Sequence, residues 1–171
     1  SKEGIQLTYS LWLYINNAPE NAGWKKSFKS PKTIISQGYS PAIALIPFNN
    51  KLIFGISSAC KYYTYDIATL PSQKWNHIVM ILNNRHIDFF INSKLYKSIM
   101  LEQIPDINSS LIKFFPDDDQ LFGYLSNVRY FNKALTSMEI HRLVQKGPNM
   151  SSGGVSSPFP PYLSTRWFFN K

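Results

Sequence analysis

Residues 75–101 read WNHIVMILNNRHIDFFINSKLYKSIML, and this stretch decides the fold class. Two apolar runs, Trp75 to Leu82 and His86 to Ile91, flank Asn83-Asn84-Arg85, where asparagine tolerates the left-handed backbone of a tight turn. The pattern predicts a β-hairpin. A second tight turn at Asn92-Ser93-Lys94 leads into Leu95 to Leu101, so consecutive strands form a meander. The alternating residues Trp75, His77, Val79 and Ile81 are expected to face the inner layer of a two-sheet sandwich, which makes His77 a core histidine with a satisfied hydrogen bond.

Upstream, Ile5, Leu7, Tyr9, Leu11, Leu13 and Ile15 occupy every second position, the period of a strand with one buried face. Asn16 to Lys32 reads as a loop holding only Trp24 and Phe28 as large apolar groups. Short strands are expected at Thr33 to Gln37, Ala42 to Ile46 and Lys51 to Ser57, the last after an Asn49-Asn50 turn. Ala59 to Ile67 is irregular and aromatic, with Tyr62, Tyr63 and Tyr65 on an exposed strand. Cys60 is the sole cysteine, so no intrachain disulfide forms, and the residue is expected as a small core side chain.

Downstream, Leu111 to Phe115 and Leu121 to Phe131 supply strands on either side of the acidic turn Pro116-Asp117-Asp118-Asp119. One helix is expected. Thr136 and Glu139 have capping-box spacing, Leu135 is placed to staple Ile140, and Gly147-Pro148 ends the run. The whole chain, 1–171, is expected as a single domain with its core over about 5–148. Residues 149–171 then read as a Ser, Gly and Pro-rich crossing segment followed by a closing strand at Tyr162 to Asn170. A chain of this length buries roughly 70% of its unfolded surface, enough for a core without staples. The fold class is therefore all-β, a two-sheet antiparallel jelly-roll sandwich with one short C-terminal helix.

Several of these pieces together resemble the concanavalin A-like lectin/glucanase superfamily in its laminin-G-like, pentraxin-type form. They are the opening strand Tyr9-Ser10-Leu11-Trp12-Leu13-Tyr14-Ile15, the Trp75-Asn76-His77 strand, the Asp88 to Lys94 hairpin and the ending Phe122 to Ile140. The resemblance runs from about Tyr9 to Pro148 and implies the jelly-roll fold. Two departures stand out: Ser93 replaces the family's usual glycine, a cost of about 1 kcal/mol if the turn needs a positive φ. Asn127 replaces a frequent aspartate and removes one carboxylate from any cation site.

Functionally, the superfold hosts glycoside hydrolases as well as binding modules. Retaining hydrolysis needs two carboxylates about 5 to 5.5 Å apart, most simply placed at i and i+2 or i+4 on a strand. Glu3, Glu20, Glu102 and Glu139 lack that spacing to another acid, and Asp88 stands alone in its strand. No Gly-x-Ser-x-Gly elbow, phosphate loop or His-Glu-x-x-His pair is present. The chain is expected not to be an enzyme and to require no cofactor.

Two features point to a ligand. Trp24, Tyr39, Tyr62, Tyr63 and Tyr65 present flat rings suited to stacking on sugar faces, or else to packing at sheet edges with their hydroxyls wet. Asp117, Asp118 and Asp119 concentrate hard oxygen ligands where related domains hold calcium, or else form a solvated acidic turn. Asn108-Ser109-Ser110 and Asn149-Met150-Ser151 match glycosylation sequons.

The net charge of +8 comes from scattered lysines, which favours anionic partners or simply a solvated surface. Nucleic acid binding is unsupported because no basic cluster is interleaved with stacking aromatics. There is no membrane-length apolar segment and no secretory signal. The chain opens on Ser1, as expected of a piece cut from a longer protein. The Lys-, Asn- and Ile-rich composition suits an AT-rich coding source such as a large DNA virus or a protist. The expectation is therefore a recognition module for glycans or glycoproteins, part of a larger extracellular-surface or virion protein. The alternative is a structural or protein-interaction module of such an assembly.

Overall fold

The computed structural model describes residues 4–17, 29–38, 40–116 and 123–150. Its elements are β1 (Gln6–Ile15), β2 (Lys32–Gln37), β3 (Ala42–Ile46), β4 (Lys51–Ser58), β5 (Lys61–Thr69), β6 (Trp75–Asn83), β7 (His86–Ile91), β8 (Lys94–Met100), β9 (Ile112–Phe114), β10 (Gly123–Phe131) and the helix α1 (Ser137–Lys146). Among the described residues two five-stranded sheets form, in the orders β10-β1-β6-β7-β8 and β5-β4-β3-β2-β9, with antiparallel neighbours throughout. This is a jelly-roll-type sandwich. The predicted meander is β6-β7-β8 in one sheet, closed by the Asn84 and Asn92-Ser93 turns.

The core lies between the sheets. Leu7, Tyr9, Leu11, Leu13 and Ile15 of β1 join Ile78, Met80 and Leu82 of β6 and meet Ile43, Leu45, Leu52, Phe54 and Ile56 of the second sheet. Phe54 and Phe89 meet edge to face across the layer with centroids 5.0 Å apart.

The expected inward stripe on β6 has the wrong parity. Val79 and Ile81 lie on the opposite face, clustered with Leu135 and Ile140 of the helical segment. Both faces of β6 are buried because it is a central strand with a helix laid over its outer side, so its apolar run carries no alternation that reveals which face is which. The same cover explains β1, where Thr8, Ser10 and Trp12 are buried opposite the predicted apolar face. The Thr8 hydroxyl donates to Lys133 O at 2.7 Å and accepts from Leu135 N at 3.2 Å, fastening the start of the helical segment to the sheet.

His77 also faces this outer side, 1% exposed, with Nε2 2.9 Å from Ser10 Oγ and its ring 4.8 Å from Trp12. Its Nδ1 has no partner among the described residues, so the expected hydrogen-bond satisfaction is only half met. Cys60 is exposed rather than buried, because Ala59 and Cys60, both at positive φ, form the turn between β4 and β5.

The helix follows its sequence signals closely. Thr136 N donates to Glu139 Oε2 at 2.8 Å, Glu139 N donates to Thr136 Oγ1 at 3.3 Å, and Gly147 ends the helix at φ 68°. The Lys133 ammonium 2.5 Å from Glu139, together with the Thr136 amide, holds that carboxyl down at about 2. Asn127, at φ 46°, donates from Nδ2 to Gly147 O at 2.7 Å, a bond an ionised aspartate could not make.

The Asn92-Ser93 turn does require positive φ, at 50° and 69°. Ser93 Oγ is also buried with no hydrogen-bond partner among the described residues. Replacing Ser93 with glycine removes both burdens, and we expect Ser93→Gly to raise stability by about 1 kcal/mol. The check is the denaturant midpoint at unchanged slope. A lower midpoint would show that the turn is not strained.

Candidate functional site

Strand period decides what the aromatic cluster on β5 can do. Tyr63 and Tyr65 pair with Ile56 and Phe54, which are core residues, and so they turn inward. Their rings run nearly parallel, 6.4 Å apart, against the edge of the core. Tyr62 points the other way and is 55% exposed. The three tyrosines therefore do not form one binding surface: Tyr62 serves an outer face, while Tyr63 and Tyr65 extend the core.

That outer face carries a cleft of about 390 Å³ on the second sheet. Its floor follows one row of backbone partners, Lys113 opposite Ser36, Ser36 opposite Ala42, and Ala42 opposite Gly55. With adjacent strands about 4.8 Å apart, the row from β9 to β4 spans roughly 14 Å. Small side chains keep it low. Tyr62 leans from β5 over Gly55, where a β-carbon would come within 1.8 Å of the phenol oxygen. Its half-covered position pushes the Tyr62 hydroxyl pKa up by desolvation.

Thr33 and Ser110 add hydroxyls, and Gly38 and Pro116 complete the lining. The rim is braced by Asn108, whose Oδ1 accepts from Ser110 N at 2.8 Å and from Ser110 Oγ at 2.5 Å. Gly38, at φ 60°, admits this side chain, since a β-carbon there would lie 2.3 Å from Asn108 Nδ2. In the first sequon, then, the asparagine packs against Gly38. In the second, Asn149 is exposed and its backbone N donates to Ser126 Oγ at 2.8 Å.

Chemically, the described lining offers a ring edge and face, hydroxyls and one ammonium group, with no carboxylate, imidazole or thiol. Such a set can hydrogen-bond a polar ligand, and the described lining holds no pair of carboxylates. Among the described residues no three His, Cys, Asp or Glu side chains are grouped to hold a metal. Trp24, Tyr39 and the calcium candidates Asp117, Asp118 and Asp119 lie outside the described residues.

Lys113, Ser36 and Gly55 were not anticipated from sequence. Their only signal is the run of small residues at Ser36, Ala42, Ala44 and Gly55, which means nothing until strand register places them side by side. No helix among the described residues is long and apolar enough to cross a membrane.

A family model described as the concanavalin A-like lectin/glucanases superfamily matches residues 3–141. No curated protein matches the chain. Among solved structures, it is similar to the binding domain of botulinum neurotoxin serotype G, with TM-score 0.64, 18% identity, 84% of this chain and 37% of that one. It is likewise similar to the binding domain of Paraclostridial Mosquitocidal Protein 1, with TM-score 0.65, 17% identity, 83% of this chain and 37% of that one. A third likeness is the receptor binding domain of the botulinum neurotoxin C/D mosaic, at TM-score 0.63, 15% identity, 84% of this chain and 36% of that one. At these identities the likeness is one of fold, and this chain spans little more than a third of the length of the chains it matches.

Proposed function

Given that the chain belongs to the concanavalin A-like lectin/glucanases superfamily, we propose that it is a non-catalytic recognition module that binds glycans in the cleft that Tyr62 lines. One observation carries the reading: an exposed aromatic ring stands over a low, hydroxyl-lined floor that contains no carboxylate in its described lining. A ring placed so can cover the apolar face of a sugar while Ser36, Thr33 and Ser110 bond its substituents. The likeness to binding domains of toxins supports a module that recognises a partner for a larger protein. The setting in a surface or virion protein is supported by composition only.

The test is a broad glycan array probed with the purified chain, with calcium and again with a chelator. Saturable binding to one glycan class is expected. Tyr62→Ala should weaken it by about tenfold, the equivalent of roughly 1.4 kcal/mol of stacking. Loss of binding with chelator would assign calcium to the site, with Asp117, Asp118 and Asp119 as its first candidates. A blank under both conditions would sink the glycan reading and leave a protein-interaction role. The latter is favoured by Leu95, Tyr96 and Met100, all exposed on the edge strand β8.

A further inference from the structure

We infer that the glycan held in this cleft is anionic, with its carboxylate or sulfate at the Lys113 end and an uncharged sugar ring against the exposed side of Tyr62. The inference rests on the glycan reading and narrows it to a ligand class. Lys113 is the one charged side chain among the described residues that line the cleft. Its charge is unspent: the described ion pairs join Lys51 to Asp66 and Lys133 to Glu139, and neither acid lines the cleft. An exposed ammonium over a floor of hydroxyls and small side chains attracts an anion, and no carboxylate stands among the described residues of the lining.

The spacing adds a length requirement. Lys113 stands at the β9 end of the row and Tyr62 covers Gly55 at the β4 end, roughly 14 Å away by strand spacing. A ligand of more than one sugar unit spans that row. The ligand is therefore an oligosaccharide, its charged unit separated from the stacked one. Lysine is a compact point charge rather than a planar fork, so a carboxylate and a sulfate are both accepted.

The chain carries a net charge of +8, so any polyanion will associate weakly, and the experiment must separate that background from the site. Affinities for lactose, sialyllactose and sulfated lactose would be measured by calorimetry for the unaltered chain, for Lys113→Glu and for Lys94→Glu. Lys94 opens β8 in the other sheet, so the two variants change net charge equally and differ only in place. Lys113→Arg tests rescue, and Gly55→Ala displaces the Tyr62 ring without touching the charge. Thermal unfolding confirms that each variant is folded.

The expected result is at least tenfold tighter binding of the two anionic sugars than of lactose, lost in Lys113→Glu and retained within about twofold in Lys94→Glu and Lys113→Arg. Preference for sialyllactose over sulfated lactose would assign the carboxylate source, and the reverse the sulfate. Equal affinity for lactose and its anionic forms would overturn the inference while leaving the glycan reading intact. So would equal losses in the Lys113 and Lys94 variants, or anion binding abolished by chelator but not by Lys113→Glu. Absence of binding to any glycan defeats both.

Discussion

Replacing Phe54 by alanine is expected to lower the unfolding free energy by about 3 to 5 kcal/mol. The side chain is fully buried at the centre of the sandwich, where it meets Phe89 of the facing sheet edge to face at 5.0 Å. Truncation removes the transfer energy of the ring and also leaves a cavity that two hydrogen-bonded sheets cannot collapse to fill. Domains of this kind have about 5 to 15 kcal/mol in hand, so the variant would sit near the edge of folding at physiological temperature. Urea unfolding of both proteins gives the answer, with Phe48→Ala as the control. Phe48 is 57% exposed, and its loss should change stability by about 0.5 kcal/mol or less. A cost for Phe54→Ala below about 1 kcal/mol would mean that the two sheets are not packed as described.

Acidification from pH 6.5 to pH 4 should remove about 3 kcal/mol of stability through His77 alone. Burial lowers its pKa from 6.5 to about 4. The folded state thus binds fewer protons than the unfolded state across that interval, so stability is complete above the unfolded value and falls as the pH descends toward the folded one. The size follows from roughly 1.36 kcal/mol per pH unit between 6.5 and about 4, less the part still to be lost below pH 4. The geometry gives the reason: Nδ1 has no acceptor among the described residues, Ser10 is the partner of Nε2, and Trp12 covers the ring, so a proton would place an unpaired charge in a dry site. Glu139 belongs to a lower window, since its carboxyl is held at about 2 and its contribution disappears only as the pH falls toward that value. Denaturant midpoints at intervals between pH 7.5 and 4 would be compared with those of His77→Gln. A variant whose stability falls as steeply as the unaltered chain over that range would exclude His77 as the cause.

The hairpin at residues 75–91, the meander that follows, and the capped helix were all readable because each depends on local chemistry. Asn-rich turns, a Thr136–Glu139 capping box and a Gly147 stop act within a few residues of themselves. Ser93 was legible for the same reason, as a residue with a β-carbon where the turn takes positive φ. The parity of β6 was not legible. Its residues from Asn76 to Leu82 are buried on both sides, and only the helix packed over Val79 and Ile81 distinguishes the outer face from the inner one.

The candidate site shows the same division. Tyrosine content marked β5 as a place of interest, yet of its three tyrosines Tyr62 alone reaches the cleft, because successive side chains on a strand face opposite ways and Tyr63 and Tyr65 fall on the core side. Lys113 and Gly55 are 58 residues apart in the chain and carry no shared motif. They belong to one row only through three successive strand pairings. The amino-acid sequence by itself determined the described strands other than β5, which it left irregular, with their turns and the sandwich, since alternation and turn chemistry are written into neighbouring residues; the closing strand expected at Tyr162 to Asn170 lies outside the described residues. Which face of each strand is wet, and which distant side chains share it, was decided by the tertiary structure, since register and the burial of a second face are properties of neighbours brought together by folding.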